Sequence, residues 1–261
     1  MTASNDSLKA RLRAGRPAIG AWLTLTAPAV AEIIAQSGYD AVMIDLEHGP
    51  GGPDDAVRLM QAVGAFDTVP LARVPGNDPV WLKRVLDIGV HGVMVPGVST
   101  PEAAAAAVAG CRYPPKGHRG MAASIVRATG YGAHWQDYVR EIDERLLLIC
   151  QIESPEAVEN VEAIAAVEGV DMLFVGPFDL SGQMGHLGEP DHPEVRQAID
   201  RAERAARTHG KLLGGIATPE RGPADLVAEG YNLVIPDADV ALLRTAAEEK
   251  VRAFRAATAK T

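Results

Sequence analysis

Two cysteines in 261 residues, Cys111 and Cys150, are too few for a disulfide framework, and neither has a Cys or His neighbour at metal-ligand spacing. Disulfide-stapled scaffolds and zinc fingers are excluded, and the two thiols read as inert. Basic clusters are missing as well. With 25 Lys and Arg against 34 Asp and Glu, the formal charge is −9, and the chain carries no electrostatic footprint for nucleic acid. No stretch reaches the ~20 apolar residues of a membrane span, and residues 1–17 lack the apolar centre of a signal peptide, which predicts a cytoplasmic protein. Low-complexity linkers are absent, and the alanine run at 103–107 reads as an exposed helix. What remains, at 47% hydrophobic and 23% charged, is an ordinary globular chain with ample material for a core.

The chain has a clear rhythm. Short apolar runs at residues 19–25, 41–46, 69–74, 92–95, 146–152, 172–175, 211–216 and 232–235 are each followed by turn residues and a segment of helical periodicity. Several runs show no polar alternation, as strands covered on both faces should. Helix-start signals open the segments between them: Ala27-Pro28, Pro53-Asp54-Asp55, Asn77-Asp78-Pro79, Ser99-Thr100-Pro101, Ser154-Pro155-Glu156 and Thr218-Pro219-Glu220. Eight βα units in about 250 residues match a closed barrel, whereas a doubly wound sheet more often has five or six strands. The expectation is an α/β fold, a single (β/α)8 TIM barrel spanning 1–261, with an N-terminal helix in the extension 1–17 and a C-terminal helix over 239–261. Residues 113–145 and 180–193, rich in Gly and Pro, read as long rim loops.

In such a barrel the reactive side chains collect at the C-terminal ends of the strands, because the interior is packed. Asp45, Glu47 and His48 end the second run in IDLEHG, and Arg73 ends the third in LARVPG. Gln151 and Glu153 end the fifth, and Gly176-Pro177-Phe178-Asp179 ends the sixth. Glu153 and Asp179 are hard oxygen donors suited to Mg²⁺, Mn²⁺ or Co²⁺, with Zn²⁺ as a further candidate. On their own they read equally as helix caps or solvated loop acids. Arg73 reads either as an anion-stabilising cation or as a structural ion pair. His48 reads as a base or as a hydrogen-bonded turn residue, with Asp45 and Asp87 as the carboxylates to raise its basicity.

The strings IDLEHG, LARVPGNDPVWLKRVLDIGVHGVMVP, YPPKGHRG, CQIESPEAVENVEAIAAVEGVDMLFVGPFDLS and LGEPDHPEV together resemble the HpcH/HpaI aldolase family. These are class II pyruvate-type aldolases, among them enzymes acting on 4-hydroxy-2-oxoheptanedioate and 2-dehydro-3-deoxyglucarate. The likeness runs from about residue 22 to residue 239. It implies that Glu153 of the Q-x-E motif and Asp179 of the GP-x-DL motif hold a divalent metal ion. It also implies that His48, supported by Asp87, is the base and that Arg73 stabilises the transition state. By the same likeness Gln151, Gly176, Pro177 and the backbone of Phe178 and Asp179 hold the oxo acid. Trp22, His186 and Leu187 are expected on the aldehyde side. Phe178 stands where the family commonly has a small residue, and Asp237 where it usually has glycine, so the rim is expected to differ at both.

The resemblance implies a carbon–carbon lyase that makes and cleaves 4-hydroxy-2-oxo acids, through an enolate of pyruvate or hydroxypyruvate formed at a divalent ion and added to an aldehyde. No strand centre carries a lysine for a Schiff base, and Lys211 lies at the entry of the seventh run, the wrong end. The implied partners are a small 2-oxo acid and an aldehyde, with no organic cofactor, no nucleic acid and no membrane. A role in the breakdown of aromatic compounds is implied too, as is a homo-oligomer, a hexameric trimer of dimers. Val240, Leu243, Ala247, Val251 and Phe254 form a stripe that fits either a neighbouring copy or the chain's own barrel. Two other readings stay open. One is a related decarboxylase or CoA-ester lyase, the latter expected to show a basic groove. The other is a non-catalytic binding barrel, expected to lack His48 or Arg73, both of which are present.

Overall fold

The computed structural model describes residues 7–259. Residues 1–6 of the expected N-terminal extension, and 260–261 at the other end, lie outside the described residues. The helix expected near the N-terminus is α1 (Leu8–Arg13). Eight parallel strands follow: β1 (Ala18–Leu23), β2 (Ala41–Asp45), β3 (Val69–Arg73), β4 (Gly92–Val95), β5 (Leu147–Ile152), β6 (Met172–Val175), β7 (Leu212–Gly215) and β8 (Leu233–Ala238). They pair in chain order, and β8 pairs back onto β1 to close the barrel. The expected eight runs and the eight strands coincide to within two or three residues at each end.

The outer helices are α2 (Pro28–Gln36), α3 (Pro53–Val63), α4 (Pro79–Ile88), α5 (Pro101–Cys111), α6 (Trp135–Arg145), α7 (Pro155–Glu159), α8 (Val161–Ala166), α9 (Pro177–Gln183), α10 (Pro193–Thr208), α11 (Pro223–Ala228) and α12 (Asp239–Thr258). Proline opens eight of these eleven, where its missing N–H costs nothing and its fixed φ suits the first turn. Asp78, Thr100 and Ser154 accept first-turn N–H groups of α4, α5 and α7 through their side chains. Thr218-Pro219-Glu220 does not start a helix. The Thr218 hydroxyl holds Asp191 at 2.5 Å and accepts Arg221 N–H at 3.2 Å, so the chain turns and α11 begins only at Pro223. Two stretches expected as rim loops are partly helical: 180–193 begins inside α9, while 113–145 ends in α6 and, joining α5 to the start of β5, lies at the N-terminal end of the strands and not on the rim. The alanine run lies in α5 and buries Ala104 and Ala107, so it is only half exposed.

Two apolar layers follow from the period-two geometry of a strand. Ala41, Met43, Leu71, Met94, Leu147, Ile149, Met172, Phe174, Leu233 and Ile235 fill the barrel interior. Their neighbours in sequence, such as Val42, Ala72, Val93, Leu148 and Val175, face the helices. Leu8 and Leu12 of α1 join the inner layer and close the N-terminal end. At the other terminus α12 buries Asp239 alone, and Leu243, Val251 and Phe254 stay exposed. The stripe at 240–254 therefore does not cover the chain's own barrel. Among the described residues no helix is long and apolar enough to cross a membrane.

Candidate active site at the C-terminal rim of the barrel

Inward parity selects the site. Continuing the inner-layer positions two residues at a time reaches Trp22 on β1, Asp45 and Glu47 at β2, Arg73 on β3, Gln151 and Glu153 at β5 and Gly176 after β6. Arg73 lies at the centre and is buried. Its Nε and Nη2 donate to the two oxygens of Asp45 at 2.9 and 2.7 Å, and its Nη1 lies 3.1 Å from Glu47 Oε2. The guanidinium rests 4.4 Å above the Trp22 ring, which meets Phe174 edge-on. Trp22 is thus the floor beneath Arg73, buried in the barrel, and is not part of a rim loop.

Glu153 is gripped from two sides. Gly97 N–H donates to its Oε1 at 2.7 Å, and the Gln151 amide donates to its Oε2. Gly97 has φ +63°, a left-handed conformation that favours glycine, and this turn aims its N–H at the carboxylate. Gly176 is needed for space, since a Cβ there would lie 3.0 Å from Glu153 Cβ and 3.1 Å from Gln151 Nε2. Asp179, exposed in the first turn of α9, faces the same carboxylates. Phe178 beside it points to the surface.

Burial pushes the Glu47 carboxyl above the ordinary range, Arg73 and His48 pull it back, and Asp45 and Asp179 add to the rise. Glu153 is raised by burial too, against the Gly97 bond, with Asp179 and Glu47 contributing. Four carboxylates therefore face one buried guanidinium whose Nε and Nη2 Asp45 already holds. Buried Gln151 Oε1 has no hydrogen-bond partner, and Glu47 Oε2 has the Arg73 ion pair without hydrogen-bond geometry. Surplus negative charge on hard oxygen atoms that are incompletely satisfied fits a divalent cation.

Neither carboxylate expected beside His48 touches its imidazole within this chain. Asp45 is engaged by Arg73 and by the N–H groups of Glu47 and His48, and Asp87 pairs with the fully buried Arg119 at 2.8 Å. Glu47 is the nearer acid, 4.0 Å from His48 Nε2, and the imidazole is largely exposed. Asp237 lies on the outer face of β8, where the Tyr39 hydroxyl donates to it at 3.3 Å, so it leaves the inner rim unchanged. The sequence reading placed Glu47 at the rim without giving it a role, and it missed Gly97 altogether. Counting strand parity past Asp45 would have found the first, while nothing local in the sequence marks the second.

Fold and rim together define a (β/α)8 enzyme with an acidic, inward-facing site at the C-terminal mouth. The family model for HpcH/HpaI aldolase/citrate lyase matches residues 18–246, and the chain belongs to that family, making it a lyase. It is 41% identical over 236 residues to a hydroxypyruvate/pyruvate aldolase of Chromohalobacter salexigens, covering 90% of this chain and 92% of that one. It is 42% identical to a pyruvate aldolase of Rhizobium etli, covering 95% and 97%. A crystal structure of an HpcH/HpaI aldolase/citrate lyase family protein from Burkholderia cenocepacia superposes with a TM-score of 0.91 at 38% identity, covering 96% and 99%.

Proposed function

We propose that the protein is a metal-dependent aldehyde-lyase that joins pyruvate or hydroxypyruvate to an aldehyde and cleaves the resulting 4-hydroxy-2-oxo acid. The observation that carries this reading is the acidic cluster around Arg73, in which Glu47 Oε2 has the Arg73 ion pair but no hydrogen bond and buried Gln151 Oε1 has no hydrogen-bond partner. Glu153 and Asp179 hold the divalent ion, Mg²⁺, Mn²⁺ or Co²⁺ by donor type, which supplies Lewis acidity toward the 2-oxo acid.

The remaining work falls to the chain's own groups. The first-turn N–H groups of Phe178 and Asp179 lack intrahelical partners and receive the substrate carboxylate, as helix N-termini receive anions. The Gln151 amide and the close-set backbone at Gly176 and Pro177 fix the oxo acid in plane. Arg73, locked by Asp45 and Glu47, presents fixed positive charge to the oxygen that becomes anionic when a C3 proton leaves. Trp22 closes the floor and excludes water from beneath it. Exposed His48 exchanges a proton with the aldehyde oxygen on the open side, next to the loop that carries His186 and Leu187. The aldehyde meets fewer directed groups than the oxo acid, so selectivity is strict for the acid and lax for the aldehyde. The uncovered face of α12 is read as a contact with a second copy in a hexamer, and the compartment as cytoplasmic.

The test is a matrix of 2-oxo acids against aldehydes, run on chelator-stripped and metal-reloaded enzyme. Expected are loss of C–C cleavage on stripping, recovery with Mg²⁺, Mn²⁺ or Co²⁺, and turnover with few acids but many aldehydes. Full activity after verified metal removal overturns the metal assignment, and one aldehyde with many acids reverses the assignment of contacts.

A further inference from the structure

The loop joining α9 to α10 carries a second group of donor side chains that the chemistry above does not use as ligands. Three backbone bonds shape it: His186 N–H to Ser181 O at 2.7 Å, Glu189 N–H to His186 O at 2.9 Å and His192 N–H to Glu189 O at 3.1 Å. Successive three-residue turns bring residues 186, 189 and 192 to one side, as positions i and i+3 of a tight helix eclipse. The side chains follow. The His186 and His192 rings stack with centroids 3.5 Å apart and planes 16° from parallel. One donor atom from each of His186, Glu189 and His192 lies within 4.8 Å of the other two.

The surroundings favour a cation. Glu194 Oε2 sits 3.2 Å from His186 Nε2, a carboxylate behind the ring of the kind that orients metal-binding imidazoles. Asp191 of the same loop is held by the Thr218 hydroxyl and by Glu220 N–H. His192 Nδ1 accepts Glu194 N–H at 3.3 Å as the cap of α10, a bond long enough to be exchanged for a metal bond.

We propose that His186, Glu189 and His192 form a second metal site, separate from Glu153 and Asp179, for a borderline divalent transition ion of the Zn²⁺ class. Two nitrogens and one carboxylate with a position left for water match Zn²⁺, Co²⁺ or Ni²⁺, whereas Mg²⁺ demands oxygen ligands. Ligands about 2.1 Å from a tetrahedral ion lie about 3.4 Å apart, which small side-chain rotations reach from the separations present. The bound ion staples residues 186–192 into one closed loop. Leu187 of this loop, itself largely exposed, passes close enough to Gly182 of α9 that a Cβ there would lie 3.2 Å from its Cδ1, and α9 carries Asp179 in its first turn, so the ion braces the rim on the aldehyde side.

The experiment uses tag-free, chelator-stripped full-length protein and measures Zn²⁺ and Co²⁺ stoichiometry by equilibrium dialysis, with Co²⁺ visible absorption as the coordination readout. Wild type is expected to bind two equivalents per chain, one giving the intense bands of nitrogen-rich tetrahedral Co²⁺. His186→Gln and Glu189→Gln are expected to lose that equivalent, with affinity down at least tenfold. The Glu153→Gln/Asp179→Asn double variant is expected to keep it. Glu189 is exposed, so its variant retains the fold and keeps the comparison valid even if His186→Gln is damaged. No equivalent retained by the double variant, or an equivalent there that Glu189→Gln leaves unchanged, overturns the proposal. Because the double variant lacks the other pair, failure here is distinguishable from failure of the proposed aldolase site.

Discussion

Arg73 shows how one residue's surroundings fix the others' roles. Its guanidinium is held at Nε and Nη2 by Asp45, paired at Nη1 with Glu47 and seated on Trp22, so its direction is set before any ligand arrives. Asp45 is thereby committed to Arg73 and is not free to orient His48. The same economy of space governs Gly176, whose backbone passes against both Glu153 and Gln151. Gly176→Ala would drive a methyl group into two buried side chains that Gly97 and each other already hold. Overpacking of this kind costs about 1–3 kcal/mol. Displacing Glu153 is expected to lower divalent-ion affinity by about 10–100-fold, the scale seen when ligand positioning is lost. Thermal unfolding and Mn²⁺ titration measure the two effects, and unchanged Mn²⁺ affinity would show that Glu153 is no ligand.

Helix α1 is a plug with a charge inside it. Leu8 and Leu12 enter the inner layer, and Lys9 between them is buried, with Nζ 2.8 Å from Asp171 and donating to Leu146 O at 3.1 Å. Burial lowers the Lys9 ammonium from its ordinary range, and Asp171 opposes the fall. Lys9→Ala leaves Asp171 with Arg13 at 2.7 Å and Leu148 N–H at 3.0 Å, so the acid keeps partners. The expected loss is about 3 kcal/mol, the low end for breaking a buried pair. Denaturant unfolding checks it, and a loss below about 1 kcal/mol would mean that α1 frays without consequence. This plug was not legible in the sequence, where Lys9 looks like any polar residue of an extension. The strands were legible, because runs such as 41–46 and 146–152 are apolar on both faces and end in ionisable groups. Proline signals placed most helices, but Thr218-Pro219 misled because its hydroxyl pairs with Asp191, 27 residues away. The same limit applied at the site. Glu153, Asp179 and Arg73 could be read from strand ends and resemblance, whereas Trp22 under Arg73, Gly97 on Glu153 and Arg119 on Asp87 are contacts between distant segments.

Acid response is a property of the whole barrel, because opposing groups contribute to it. Falling pH reduces the net charge of −9 and relieves general repulsion. Glu47 and Glu153, raised by burial, take up protons more readily folded than unfolded, so in the metal-free protein they too favour the native state as pH falls. His91 acts the other way. It sits where α4 hands over to β4, its N–H donating to Pro70 O and its carbonyl accepting Leu147 N–H, at the N-terminal ends of three strands. Burial lowers the imidazole below its usual 6.5, and Arg145 and Arg127 add to the shift. A depressed histidine binds its proton in the unfolded chain first, so its contribution is present above pH 6.5 and is lost as pH falls below it. Each unit of difference is worth about 1.4 kcal/mol. Because the other terms run in the opposite sense, His91→Gln should convert a protein that loses stability between pH 6.5 and 5.5 into one that holds or gains it. Thermal melts of metal-free wild type and variant across that interval decide the matter, and parallel pH slopes would remove His91 as the source of acid sensitivity.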